Sequence, residues 1–276
     1  GDAIYNGHPP PMPIGDYAFI SGDDNSPLTV AIEALPHLAS SSAHAINDKG
    51  NVVGSSKVGT QIHAVLWRNK TAPIDLGTLG GNSSNAVDVN NLDQVIGYSH
   101  TASGEQISFL WDEENGMRNL SELGLDGFVE SINDSGLILG RNKLFDISTG
   151  DITELGDLGG GGTNSRDLNN VGHAVGFSRT DVGDQNAFLW SEAFGTLNLN
   201  DLVTDLSGWQ YLKIANGISP HGRYITGEGV TADGERHAFL LVQAPEPSLF
   251  TLFLLGIAMV SGMWGFESLR SQLGFL

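Results

Sequence analysis

The sequence predicts an all-β repeat protein. The arrangement it favours is a five-bladed β-propeller, with six blades or an open β-solenoid as alternatives, followed by one C-terminal transmembrane helix. Three observations carry this expectation. A turn phrase recurs at a near-fixed step, which is the signature of a repeat architecture. Apolar runs of four to six residues, bounded by Gly and Asn, read as strands rather than helices. The two ends of the repeat region are incomplete phrases that complement each other, as in a ring closed by strands from opposite ends of the chain.

The turn phrase is Ile46-Asn47-Asp48-Lys49-Gly50-Asn51-Val52-Val53-Gly54. Cousins run from Val89 to Gly97, Ile132 to Gly140 and Leu168 to Gly176, and a longer one from Ile218 to Gly227. The polar residue that opens each turn is Asn47, Asn90, Asn133, Asn169 and Ser219, at steps of 43, 43, 36 and 50 residues. Asn and Gly at these places tolerate left-handed dihedrals and bond their own backbone, which suits tight turns.

The chain divides into three parts. Residues 1–16 carry His8-Pro9-Pro10-Pro11-Met12-Pro13, a polyproline II lead-in. Residues 17–242 form the repeat domain, with four parts to each copy. A short strand leads into the turn, and a β-branched run follows it. An aromatic-aliphatic strand comes third: His63 to Trp67, Ile107 to Trp111, Asn186 to Trp190 and His237 to Leu241. An Asp-Leu-Gly segment comes fourth: Asp75 to Gly81, Glu154 to Gly160 and, more loosely, Asn119 to Gly124. The third copy is shortened, with Asn142-Lys143-Leu144-Phe145-Asp146 in place of the aromatic strand, which accounts for the 36-residue step. Tyr17 to Ile20 and Val30 to Leu35 read as a third and a fourth part, while the copy from Tyr211 to Val242 stops after its third.

Residues 243–276 change register. Pro245-Glu246-Pro247 precedes Leu249 to Phe266, a stretch without a charge. As a helix with a rise of about 1.5 Å per residue it spans about 27 Å, close to the hydrocarbon thickness of a bilayer.

Composition bounds the function classes. Gly is abundant (37 residues) and charged residues are sparse (16%), which fits a loop-rich globular protein rather than a disordered chain. The formal charge of -19, from 32 acids against 13 bases, repels phosphate backbones and argues against nucleic acid as a partner. No cysteine is present, which excludes disulfides and thiolate-ligated metals. The sequence begins at Gly1 rather than Met, so the lack of a leader does not weigh against export.

The repeats resemble the HAF repeat family, named for its His-Ala-Phe strand, through His237-Ala238-Phe239 and the Asp75 to Gly81 and Asn90 to Gly97 pieces. The resemblance implies an exported protein of extracellular or cell-surface type and implies no reaction. The C-terminus resembles a PEP-CTERM sorting signal through Pro245, Glu246 and Pro247, the apolar span and a basic end. That resemblance implies an exosortase-type enzyme as partner, processing near the motif, and a Gram-negative host that forms exopolysaccharide. The family's Arg-rich cluster is reduced here to Arg270, beside Glu267.

Several residues invite a chemical reading. His63 and His237 share one phrase position in different copies, where a hydrogen-bonded strand-start imidazole accounts for them better than a metal. The Gly156 to Gly162 run lacks the Lys-Ser/Thr of a phosphate loop and reads as a tight corner. Asp48, Asp134, Asn91 and Asn170 are turn residues that offer calcium oxygen ligands without matching a known calcium loop. Trp67, Trp111 and Trp190 read as packing residues, with a glycan-binding face as the alternative. Asp88, Asp167 and Glu130 precede successive turns, and their near-equivalence argues for structure over a unique acid and base. No catalytic, cofactor or metal residue is therefore expected. The reading is a structural or adhesive surface protein of an exopolysaccharide or biofilm matrix. The alternatives are a propeller-type polysaccharide hydrolase or lyase and a glycan- or protein-binding module.

Overall fold

The third part of each phrase lies between the second and the fourth, and that order dictates antiparallel meanders. The computed structural model describes residues 19–21, 29–31, 40–68 and 73–243, and these are all-β apart from two short helical turns. A first hairpin pairs β1 (Phe19–Ser21) with β2 (Thr29–Ala31) antiparallel, as third and fourth parts pair in the later copies. The rest of the two N-terminal segments, the proline-rich lead-in, the sorting motif Pro245, Glu246 and Pro247 and the span 249–266 lie outside the described residues. Among the described residues no helix is long and apolar enough to cross a membrane.

Two compact units divide these residues. The second holds Asn90–Leu92 and everything from Asn119 on, and the first holds the rest. In the first unit, β3 (Ser41–Ile46), β4 (Val52–Val58), β5 (Gln61–Trp67) and β6 (Ile74–Gly77) form one meander. A second meander is formed by β7 (Gly80–Val89), β8 (Val95–Thr101), β9 (Gln106–Asp112) and β10 (Gly116–Asn119). A single parallel pair, Ile62 with Ser83, joins the two into one sheet. Their shared core contains Val53, Leu66, Leu76, Ala86, Val95, Phe109 and Trp111, all buried.

The second unit contains three sheets. The first is β11 (Val129–Ile132), β12 (Leu137–Gly140), β13 (Lys143–Asp146) and β14 (Ile152–Glu154). Next come β15 (Asn164–Leu168), β16 (Ala174–Arg179), β17 (Gln185–Ser191) and β18 (Gly195–Asn198). The last has three strands, β19 (Trp209–Ile218), β20 (Tyr224–Thr231) and β21 (Arg236–Val242). Before β19 the chain forms one helical turn, α1 (Leu199–Leu202), whose cap residue Asn198 accepts from the Asn200 amide. The turn seats Leu199 and Leu202 in the core beside Leu189, Leu212 and Ile225. Among the described residues no sheet closes on itself.

A bulge explains why Gly follows the β-branched pair. The pairing of each first strand with its second skips one equivalent residue, His44, Val87, Glu130, Arg166 or Asn216, and β7 and β19 carry further shifts. Each lies three residues before the turn-opening residue, so the bulge is part of the repeat. It brings a first-strand carbonyl onto the second strand. A Cβ at Gly54, Gly97, Gly176 or Gly227 would stand 1.9, 2.1, 2.2 or 2.0 Å from that oxygen, which only glycine accommodates.

The third copy is set by the same register. Ile138 pairs with Phe145 as Val52 pairs with Trp67, Val95 with Trp111 and Ala174 with Trp190. Phe145, not Asp146, therefore takes the tryptophan position, and Asp146 stands one residue beyond it. The glycine corners belong to the scaffold too. Gly77 and Gly156 have φ of 76° and pass their carbonyls to Ser84 and Thr163 hydroxyls at the start of the following copy. Gly160 would place a Cβ 2.0 Å from the Thr180 carbonyl oxygen. Within the Gly156 to Gly162 run, Gly159 and Gly160 are thus packed against the Thr180–Asp181 backbone, while Gly161 faces open space.

Candidate functional site

Three of the four turn residues read as calcium oxygen donors, Asn91, Asp134 and Asn170, bond to one another. Each opening asparagine uses its Oδ1 to cap its own turn: Asn47 accepts from the amides of Lys49 and Asn51, Asn133 from Ser135 and Leu137, Asn169 from Val171 and His173. The Nδ2 reaches the next copy. Asn90 donates to the Asn133 carbonyl at 3.0 Å, and Asn133 donates to the Asn169 carbonyl at 3.0 Å. These asparagines are buried, so the ladder satisfies groups that water cannot reach. Beside it, Asp134 accepts from the Asn91 amide and from the side chains of Asn91 and Asn170, while Asn170 accepts from the Asp134 amide. Among the described residues no group of three or more His, Asp or Glu converges to hold a metal.

The three carboxylates before the turns separate into two kinds. Asp88 and Asp167 are equivalent, two residues before Asn90 and Asn169, and each accepts the amide of the residue that follows it. Asp167 also accepts the Ile218 amide of the next copy at 2.8 Å, which ties β15 to β19. Burial raises its pKa, against the opposing effect of those amides and of the Ser131 hydroxyl. Glu130 is offset by one position, at the bulge of β11. Burial raises its pKa as well, against the pull of Arg166 and Arg141. Sequence spacing alone did not separate a bulge residue from a paired one.

The histidines occupy ordinary strand positions. His63 lies 2.9 Å from both carboxylate oxygens of Asp75 on the neighbouring strand. His237 stands on β21 in the other unit and is exposed. Trp67, Trp111 and Trp190 are all buried, and Trp190 packs with Leu139, Leu144, Leu155 and Phe188 between two sheets.

A cleft of about 650 Å³ lies within the second unit, between the β11–β14 sheet and the β15–β18 sheet. Leu144, Leu189 and Trp190 supply apolar wall, and Phe194 and Val171 expose apolar surface at it. Its carboxylates are Asp146, Asp151 and Glu192, accompanied by the hydroxyls of Thr149, Thr153 and Ser191. Asp146 has its pKa lowered, chiefly by the Ser148 hydroxyl it accepts from, so it stays ionised at neutral pH. His173 lines the same cleft, and burial lowers its pKa, so it is neutral there. The sequence carried no signal for this cleft, because its residues come from five separate segments and none forms a motif.

No protein-family model matches the chain, and no curated protein matches it. Among solved structures, a serine-to-alanine mutant of puromycin hydrolase complexed with PGG is similar at a TM-score of 0.44 and 11% identity, covering 80% of this chain and 36% of that one. A triple arginine-to-alanine mutant of AofleA from Arthrobotrys oligospora is similar at a TM-score of 0.32 and 10% identity, covering 79% and 69%. The chain thus spans about a third of the length of the puromycin hydrolase chain it matches. These likenesses assign neither a family nor a site.

Proposed function

We propose that this chain is an exported, surface-associated β-repeat protein with a structural or adhesive role in an extracellular polysaccharide matrix. Its copies are the blades of a five-bladed propeller. Residues 249–266 are a membrane span, and Pro245, Glu246 and Pro247 are a sorting motif read by an exosortase-type enzyme. The observation that carries the role is the ladder of Asn90, Asn133 and Asn169 with its outer partners Asn91, Asp134 and Asn170. The recurring polar side chains join copy to copy, as suits a passive, rigid scaffold. The HAF-type phrase and the Pro-Glu-Pro tail support the surface location.

The intact mass of the protein from the envelope and the medium of its native host tests the proposal. A species ending near Pro245 to Pro247 is expected. A species ending at Leu276 and confined to membranes would make the tail a permanent anchor and remove the sorting part.

A second reading, a polysaccharide hydrolase or lyase, draws on Glu130 and Asp167, whose pKa values burial raises in both cases. Asp167 argues against it, because both carboxylate oxygens already accept backbone amides. Release of new reducing or unsaturated ends from host polysaccharide, abolished in Glu130→Gln, would favour the enzyme.

A further inference from the structure

The copies differ in how they neutralise the junction between one sheet and the next copy's turns. In the first unit, Arg68 follows Trp67 and bridges two acids of the next copy. Its Nε lies 3.2 Å from Asp93 Oδ2, and its Nη1 lies 2.9 Å from Glu113 Oε2. Asp93 is the third residue after Asn90, and Glu113 is the second after Trp111. The corresponding residues in the second unit are Asp146, one after Phe145; Gly172, three after Asn169; and Glu192, two after Trp190. All three line the 650 Å³ cleft.

The repeat therefore keeps the glutamate that holds a guanidinium in the first unit and replaces the arginine itself by an aspartate. A second internal pair is lost as well. Asp112 is met by Arg118 in the second copy, whereas the residues two after the turn glycines Gly150 and Gly195 are Ile152 and Leu197. Neither Lys nor Arg lines the cleft, and Asp151 brings its acids to three. Among the described residues Glu192 and Asp151 have no ion pair. The walls around these acids are apolar: Leu137, Leu144, Leu189, Trp190 and the exposed ring of Phe194.

We propose that this cleft binds an aliphatic cation, a primary ammonium or guanidinium carried on a methylene chain. The bound cation takes the place that Arg68 fills in the first unit. The acids that line the cleft, Glu192, Asp146 and Asp151, attract its charge, and its methylenes lie on the leucines and the aromatic ring, as amphipathic cations do on such surfaces. Free polyamines and the basic side chains of a peptide share this chemistry. The inference stands on the cleft and the repeat comparison and is independent of the matrix reading.

Calorimetric titration of the full chain tests it, with spermidine in one arm and a short Lys/Arg peptide in the other. Saturable binding in either arm is expected, weakening as salt is raised; the arm that binds more tightly identifies the source. Glu192→Gln and Asp151→Asn should each weaken binding by about tenfold, the scale of one charge-assisted hydrogen bond. Asp146→Arg restores the missing guanidinium from within and should abolish binding while circular dichroism stays all-β. Should that variant fail to fold, the two neutral variants decide. Failure of both probes to bind, or wild-type affinity in both Glu192→Gln and Asp151→Asn, overturns the proposal. Displacement of spermidine by equimolar calcium would overturn it too, by assigning the acids to a metal.

Discussion

Gly176 lies against the ring of Phe188: a Cβ on residue 176 would stand 2.9 Å from Phe188 Cε1 and 2.2 Å from the Asn164 carbonyl oxygen. The same coupling joins Gly97 to Phe109 at 2.8 Å and Gly227 to Phe239 at 2.4 Å. The glycine of the second strand and the phenylalanine of the third are therefore one packing unit, read twice in the phrase. In the third copy Gly140 faces the Lys143 position of the shortened strand, and its nearest contact would be 3.4 Å away.

Alanine at these glycines should separate the two situations. Gly176→Ala is expected to lose roughly 1–3 kcal/mol or more by overpacking against backbone, whereas Gly140→Ala stays near wild type. Urea unfolding of both variants checks the difference. Equal midpoints would show that the bulge relaxes and that the glycine is not required by the close approach.

The asparagine ladder ends unevenly. Asn133 Nδ2 has the Asn169 carbonyl, but Asn169 Nδ2 is buried and has no hydrogen-bond partner among the described residues. The next turn opens with Ser219, is one residue longer and gives its Pro220 carbonyl to the Asn170 amide instead. Asn133→Asp sets a carboxylate oxygen against a carbonyl and should cost about 2–4 kcal/mol. Asn169→Asp loses no donated bond and should cost at least about 1 kcal/mol less. Thermal melts of the pair decide, and a larger loss for Asn169→Asp would contradict the ladder.

Asp93 stands where the other turns have glycine. Its φ is 60°, beside 75°, 83° and 86° for Gly50, Gly136 and Gly172. A non-glycine residue there is strained by about 1 kcal/mol. It is held because Asp93 Oδ1 accepts from the side chains of Asn47 and Asn51, and its Oδ2 meets Arg68. Asp93→Gly should therefore destabilise by about 1–2 kcal/mol despite relieving the backbone. A gain in stability, measured by chemical denaturation, would mean that the three contacts are weaker than the strain.

The fold was legible where chemistry repeats. Asn-x-x-Gly turns, the glycine after a β-branched pair and the tryptophan ending the third strand each state a local requirement, so the meanders could be placed from sequence. Register was harder. Asp146 looked like the tryptophan position because the shortened hairpin removes the residues that set the count, and Glu130 looked like Asp88 because a bulge has no compositional mark. The helical turn at Leu199–Leu202 was missed, since four residues give no period. The cleft was illegible because it arises from what the third and fourth copies lack, an arginine after Phe145, and absence shows only once equivalent positions are aligned in space.

Glu130 gives a pH test with a defined sign. Its pKa in the folded chain is raised above 4.5, because burial at the bulge outweighs the attraction of Arg166 and Arg141. Between 4.5 and the raised value the folded state holds more protons than the unfolded state, so the stability from this group falls as pH rises through that window. Below 4.5 the group is protonated in both states and costs nothing; above the folded pKa its ionisation cost is fully present. Glu130→Gln removes the ionisation while keeping the shape. The variant should match wild type near pH 4 and exceed it at pH 7, with the gap opening across the window. Unfolding free energies of both proteins from pH 4 to 8 provide the measurement. A gap that is flat with pH, or one that favours wild type at pH 7, would show that the two arginines and not burial dominate this site.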